Sequence, residues 1–144
     1  QLLSALDGSD AAADTLVVFT SDNGGHPEYA ANGPLRGSKW NVYEGGIRVP
    51  FIARWPGRIN AGETCSTPVV AYDLLPTFAE CAGVPAKNLG DEIDGVSLLP
   101  VFRDSSKPID RTLYWHFPYY HPEKGFEKSL KSIGTTAQCK SRRS

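Results

Sequence analysis

One short stretch limits most of what this chain can be. Thr15-Leu16-Val17-Val18-Phe19-Thr20 is an uninterrupted β-prone run, too short for a helix of ordinary length. Such a run predicts a strand buried on both faces, as in a parallel sheet. Ser21-Asp22-Asn23-Gly24-Gly25 follows directly, so a carboxylate, a carboxamide and two glycines arrive where the strand should end. In open α/β sheets, ligands bind outside that carboxyl edge. An ionised Asp and an Asn carbonyl are hard oxygen donors, the kind that Ca²⁺ and Mg²⁺ prefer over imidazole and thiolate. The neutral Asn adds an oxygen without a second negative charge, which suits a site that must also take an anion. Asp22 and Asn23 are therefore candidate metal ligands, although Asp-Asn-Gly-Gly is equally an ordinary turn sequence.

The chain around this loop reads as alternating helix and strand. Gln1 to Leu6 has the look of the last turns of a helix, with Gly8 placed to stop it. Helix, short loop and buried strand make half of a βαβ unit. Residues 21–40 show no clear period, are rich in Gly, Asn and Pro, and carry an Asn32-Gly33-Pro34 turn signal. A loop of this length inside a compact domain is usually functional or disordered. Val42–Pro50 predicts a tight glycine turn, and Phe51–Trp55 a second strand closed by Pro56-Gly57. Val69–Cys81 predicts a helix capped by Asp73, with Pro76 in its first turn, Gly83 at its end, and Leu74, Leu75, Phe78 and Cys81 as its apolar face. Asp94-Gly95 is a turn, Ser97 a cap for a short helix through Phe102, and Leu113–Phe117 the last expected strand.

Composition excludes several function classes. With 144 residues and 40% hydrophobic content the chain suits one domain with a sizeable core. No apolar run is long enough to span a bilayer, and the opening Gln1-Leu2-Leu3 has no basic n-region of a signal peptide. The formal charge of −1 is uneven. Lys124, Lys128, Lys131, Lys140, Arg142 and Arg143 face Glu127 alone, so residues 124–144 carry +5 and residues 1–123 carry −6. Residues 124–144 are expected to be a divergent basic tail, poorly ordered and solvated, and nothing in the acidic remainder favours nucleic acid. Cys65, Cys81 and Cys139 are odd in number and widely spaced, neither a zinc framework nor a disulfide scaffold.

Other side chains could join Asp22 and Asn23. Lys39, in Pro34-Leu35-Arg36-Gly37-Ser38-Lys39, offers a compact cation and three donors for an anion or a departing oxygen. Arg36 is expected to brace the loop through carboxylates, and Glu44 with Arg48 to form an ion pair across the double glycine. His26, close in sequence to the candidate ligands, is a candidate substrate-binding residue, while His116 and His121 are expected to be structural or peripheral.

Taken together, TLVVFTSDNGG (15–25), PLRGSKWNVYEGGIRVP (34–50), YDLLPT (72–77), DGVSLLP (94–100) and LYWHFPYY (113–120) resemble the sulfatase family of the alkaline-phosphatase-like superfamily, nearest in wording to the arylsulfatase A and N-acetylgalactosamine-6-sulfatase type. The resemblance covers residues 1 to about 120. It implies an α/β fold: the C-terminal half of an alkaline-phosphatase-like catalytic domain, a mixed and mainly parallel sheet flanked by helices, with residues 1–123 as that partial domain. It implies a sulfuric ester hydrolase with a divalent cation, Ca²⁺ or else Mg²⁺, on Asp22 and Asn23, and Lys39 on the sulfate. The expected partner is a sulfated small molecule or sulfated carbohydrate, with neither nucleic acid nor a membrane span. Family habit implies an exported, periplasmic or extracellular, or a lysosomal protein. Phosphatases and phosphonate hydrolases of the superfamily generally place Asp-His where this chain has Asp22-Asn23, so Asn23 favours the sulfatase reading over a phosphoric or phosphonic ester hydrolase. The formylglycine nucleophile of sulfatases arises in Cys/Ser-x-Pro-x-Arg, a motif this chain lacks. Its absence also leaves room for a non-catalytic fragment that binds a cation or a sulfated sugar.

Overall fold

The structure is a computed structural model that describes residues 1–117 and, as backbone, strand residues 120–121, 125–126 and 129–134. Two compact units share the chain: residues 1–17 with 54–110, and residues 18–53 with 111–134. The elements are mixed α/β, as expected. Among the described residues no helix is long and apolar enough to cross a membrane.

In the first unit, α1 (Leu2–Asp7) ends at Gly8, as the sequence predicts. Asp7 pairs with Arg54, and the Trp55 indole N–H donates to the Ala13 carbonyl at 2.9 Å, tying the segment after α1 to the chain beyond residue 53. The predicted helix over 69–81 is observed as a 3₁₀ turn (Ala71–Asp73) running into α3 (Leu74–Cys81). It closes as a Schellman motif: Gly83 takes φ 73°, its N–H reaches the Glu80 carbonyl, and the Val84 N–H reaches Ala79. A short α4 (Leu99–Arg103) follows, with the Ser97 hydroxyl accepting the Leu99 N–H at 3.3 Å.

Two expectations about α3 are corrected. Asp73 caps no N–H of α3; its carboxylate accepts the Val70 N–H at 2.9 Å and, across the chain, the Val96 N–H at 3.1 Å. Nor is Leu74-Leu75-Phe78-Cys81 the buried face, because Leu75 and Phe78 are 52% and 46% exposed and Cys81 is exposed. The buried positions are Asp73, Pro76 and Thr77. The Thr77 hydroxyl donates to the Asp73 carbonyl at 2.6 Å and accepts the Leu98 N–H at 2.9 Å. Gly95 lies so close that a Cβ there would overlap the Tyr72 carbonyl. The side chosen for burial is thus the one that can satisfy the backbone of residues 95–98, and hydropathy alone does not reveal it.

In the second unit, β1 (Val17–Thr20) neighbours β2 (Phe51–Arg54). The expected burial of β1 on both faces is not met: Phe19 is 62% exposed and Ile52 on β2 60%. With one neighbouring strand each among the described residues, these two side chains have no second layer over them. Between the strands, Glu44–Ile47 forms a single helical turn, α2, rather than a simple glycine turn.

β3 (Thr112–Phe117) matches the strand expected over 113–117 but is not the last, because the chain continues in β4 (Tyr120–His121), β5 (Gly125–Phe126) and β6 (Ser129–Gly134). β4 and β5 pair antiparallel, and β6 runs antiparallel to β3 from Thr112↔Gly134 to Phe117↔Ser129. Leu130 and Ile133 are three residues apart and break the two-residue alternation of a strand, so β6 is specified by its ladder with β3 rather than by local pattern. Cys139 and the rest of residues 135–144 lie outside the described residues, as does the side chain of His121.

Replacing Thr77 by Val keeps the shape but leaves the buried Leu98 N–H unpaired. It should lower unfolding stability by about 2 kcal/mol. Asp73→Ala, which strands two N–H groups, should cost more. Urea unfolding checks both against the exposed Lys87→Ala, which should stay within about 0.5 kcal/mol of the parent.

Candidate functional site

The loop after β1 is held by backbone approaches that only glycine permits. The Gly24 N–H donates to the Gly46 carbonyl at 2.9 Å, and the Gly45 N–H to the Arg36 carbonyl at 2.7 Å. A Cβ on Gly24 would overlap the Gly45 carbonyl, one on Gly45 the Gly37 carbonyl, and one on Gly46 the Asn41 carbonyl. Ser21–Gly25, Arg36–Lys39 and α2 are thereby packed backbone to backbone. The Lys39 N–H adds a bond to the Gly25 carbonyl at 3.0 Å, which fixes where its side chain leaves the loop.

Asn32 completes this frame. Its Oδ1 accepts the Gly25 N–H at 2.8 Å, while its Nδ2 donates to the Gly25 and Gly37 carbonyls at 3.3 and 3.2 Å. The sequence shows Asn32 only as the start of a turn; that turn exists, with Leu35 N–H to the Asn32 carbonyl at 3.3 Å and Gly33 at φ 62°. Nothing local announces the side chain's role, because its partners lie five and seven residues away.

An open groove of about 330 Å³ runs beside this frame, and Asp22, Asn23 and Lys39 all line it. Asp22 is exposed, with Oδ1 accepting the Asn23 N–H at 3.0 Å. The Asn23 amide group and Asp22 Oδ2 make no hydrogen bond among the described residues, which leaves two hard oxygens open to a ligand. This donor set fits part of the coordination sphere of a hard divalent cation. Among the described residues no group of three or more His, Cys, Asp and Glu side chains could hold a metal, so the two oxygens of Asp22 and Asn23 are fewer donors than such an ion takes.

The other candidates fall into place around the groove. His26 stacks on Tyr29 with ring centroids 4.6 Å apart and meets Trp40 edge-on at 4.8 Å, and its Nδ1 accepts the Glu28 N–H at 3.2 Å. It is not among the residues lining the groove. His116, expected to be peripheral, does line it, together with Trp115 and Phe117. Glu44 and Arg48 form the expected ion pair at 3.6 Å. Arg36 braces its loop through Tyr43 rather than through carboxylates: Nη2 donates to the hydroxyl at 3.0 Å and the guanidinium lies 3.9 Å over the ring. Neither described cysteine is poised as a nucleophile. Burial, and secondarily the Glu80 carboxylate, push the Cys81 thiol above its ordinary value, and Cys65 donates to the Ser105 carbonyl at 3.3 Å.

A family model described as Sulfatase matches residues 1–84, the span that contains β1, the metal-ligand candidates and the glycine frame. The chain belongs to the sulfatase family. It is 40% identical over 126 residues to human steryl-sulfatase, covering 81% of this chain and 21% of that protein. It is 40% identical over 132 residues to a sulfatase of Formosa agariphila, covering 86% and 24%, and 38% identical over 128 residues to human arylsulfatase A, covering 85% and 24%. Among solved structures, Ps i-CgsB in complex with k-i-k-neocarrahexaose matches with a TM-score of 0.71 at 40% identity, over 78% of this chain and 25% of that one. BT4656 in complex with its substrate D-glucosamine-2-N,6-O-disulfate matches with a TM-score of 0.73 at 29% identity, over 92% and 26%. The fold is therefore that of sulfatases, and this sulfatase chain spans between a fifth and a quarter of the length of the curated relatives named here.

Removing the Asn32 side chain should cost about 2 kcal/mol, since the half-buried Gly25 N–H and Gly37 carbonyl lose their partner at once while the Gly25 carbonyl keeps only the Lys39 N–H. Gly46→Ala should be worse, because the clash is with backbone carbonyls that cannot turn aside. Fluorescence-detected denaturation of the two variants tests this ordering, and an unchanged Gly46→Ala midpoint would refute the steric account.

Proposed function

We propose that this chain carries part of the active site of a sulfuric ester hydrolase, in which Asp22 and Asn23 hold a divalent cation and Lys39 binds the sulfate group. Residues 1–123 form the contributing part of the catalytic domain, and residues 124–144 a basic tail. The observation that carries the reading is the convergence of Asp22, Asn23 and Lys39 on one groove, from two loops joined by the glycine frame. Membership of the sulfatase family supports it. When bound, a Ca²⁺ or Mg²⁺ ion would supply charge to polarise the sulfate oxygens.

The residues of this chain do the following. Asp22 contributes the negative charge and Asn23 a neutral oxygen, so two donors are offered while the groove stays hospitable to an anion. Lys39 sets an ammonium where charge develops on the sulfuryl group and the departing oxygen. The Gly25 carbonyl holds the Lys39 backbone, so the ammonium starts from a fixed point. The nucleophile, a formylglycine, belongs to a Cys/Ser-x-Pro-x-Arg segment outside this chain. The substrate class is a sulfate monoester of a small molecule or carbohydrate. Two solved relatives, one bound to k-i-k-neocarrahexaose and one to D-glucosamine-2-N,6-O-disulfate, favour the carbohydrate. An exported or lysosomal setting suits that substrate.

The 144-residue chain by itself should not turn over para-nitrophenyl sulfate, and turnover by pure chain would overturn the assignment of the nucleophile. Calcium should bind it weakly, with a Kd on the order of 1 mM, because two protein oxygens replace few of the six to eight ligands Ca²⁺ takes. In an NMR titration, calcium should shift the amides of residues 21–25, and Asp22→Ala should abolish those shifts. Micromolar binding indifferent to Asp22→Ala would sink the metal assignment. In a protein that also contains the nucleophile segment, Lys39→Ala should lower kcat/KM for a sulfate ester about 10²–10³-fold.

A further inference from the structure

Trp40 is the one non-glycine residue among those described with a positive φ, at 79°. For a bulky side chain the left-handed region is a real outlier, and it persists only where surrounding contacts over-determine it. Those contacts are present. Lys39 before it is pinned to the Gly25 carbonyl, the Asn41 N–H after it reaches the Ser38 carbonyl at 3.3 Å, and its indole meets the His26 ring. The conformation has a geometric result. Along an extended backbone, successive side chains leave on opposite sides. With Trp40 in the left-handed region, Lys39, Trp40 and Asn41 all line the same groove, and Lys39 Nζ lies 6.0 Å from the Trp40 ring centroid.

On the proposed reading of Lys39 as the sulfate ligand, we infer that Trp40, with Trp115, is a specificity-determining platform on which the sugar ring of a sulfated carbohydrate stacks. A pyranose has an apolar C–H face and a rim of hydroxyls. The indoles suit the face, since their π-clouds are negative and ring C–H groups positive. The rim needs hydrogen-bonding groups, and Asn41 and His116 line the same groove. Asn41 commits Oδ1 to the Tyr43 N–H at 3.2 Å, which leaves its Nδ2 to donate. A flat aromatic or steroid alcohol would use the indoles and leave these polar groups without partners, so the lining favours the sugar. Trp40 meets His26 edge-on, and His26 is itself stacked on Tyr29, which backs the platform and assigns His26 a positioning role rather than a direct contact with substrate.

The test measures binding of inorganic sulfate, of O-sulfated glucosamine and of unsulfated glucosamine to the full chain and its Trp40 variants by NMR titration. Trp40→Gly, which relieves the backbone, should weaken O-sulfated glucosamine about tenfold and leave inorganic sulfate within about twofold. It should also melt higher than Trp40→Ala, which keeps the left-handed strain. Trp40→Asn, tolerant of the same conformation, repeats the comparison should the glycine variant not fold. Trp40→Phe should retain most of the sugar affinity. Equal losses for sulfate and sugar, or no loss for the sugar, overturn the platform; if sulfate binding then still depends on Lys39, the proposed function stands without it. A chain that binds neither sulfate nor the sulfated sugar overturns both.

Discussion

The contact on which the second unit depends is the approach of the Gly24 N–H to the Gly46 carbonyl. Two loops that meet through side chains can slide against each other by rotamer changes. Loops that meet through backbone at hydrogen-bond distance cannot, since each donor has one acceptor and no side-chain torsion to absorb a shift. Gly24, Gly45 and Gly46 are required for closeness rather than for unusual torsions: none of the three has positive φ, yet each sits where a Cβ would strike a carbonyl. The double glycine of Glu44–Arg48 is architectural, and the Glu44–Arg48 ion pair spans it from the outside.

Chemistry is then arranged by what this frame leaves facing the groove. Asp22 and Asn23 come from one loop and Lys39 from the other, so the electrostatic balance of the site is set by loop docking. Carboxylate and ammonium face a common space without an ion pair between them among the described residues. Each remains available to a ligand of opposite sign, a cation for the oxygens and an anion for the ammonium. A direct Asp22–Lys39 pair would have consumed both.

Much of this was legible in the residues. The β1 strand, the position of the Asp22-Asn23 loop at its end, the Gly83 stop and the Ser97 contact with the Leu99 N–H all follow from local chemistry, and local chemistry is what a sequence displays. The errors share a cause. The residues suggest a local cap at Asp73 and carboxylate partners for Arg36, but Asp73 reaches Val96 across the chain and Arg36 finds Tyr43. The buried face of α3 is not the one hydropathy indicates, because burial here follows the side chains that pair the N–H groups of residues 96 and 98. Asn32 and the conformation of Trp40 had no sequence signal, since both depend on where the docked loops put distant carbonyls.

The latch formed by Asp73 and Thr77 also has a topological side. It joins residues 73 and 77 to residues 96 and 98, so the chain between Ala82 and Asp94 is a loop whose two ends are held in place by the same pair of side chains. Closing such a loop costs an entropy that grows only logarithmically with length, about 0.6 kcal/mol for each doubling. Residues can be added or removed along 89–92, past the Val84 N–H that closes α3 and the Asn88 N–H that reaches the Pro85 carbonyl, without moving either end of the latch. The fold therefore contains, between the two ends of this latch, a stretch where chain length is nearly free to vary while the buried junction stays unchanged.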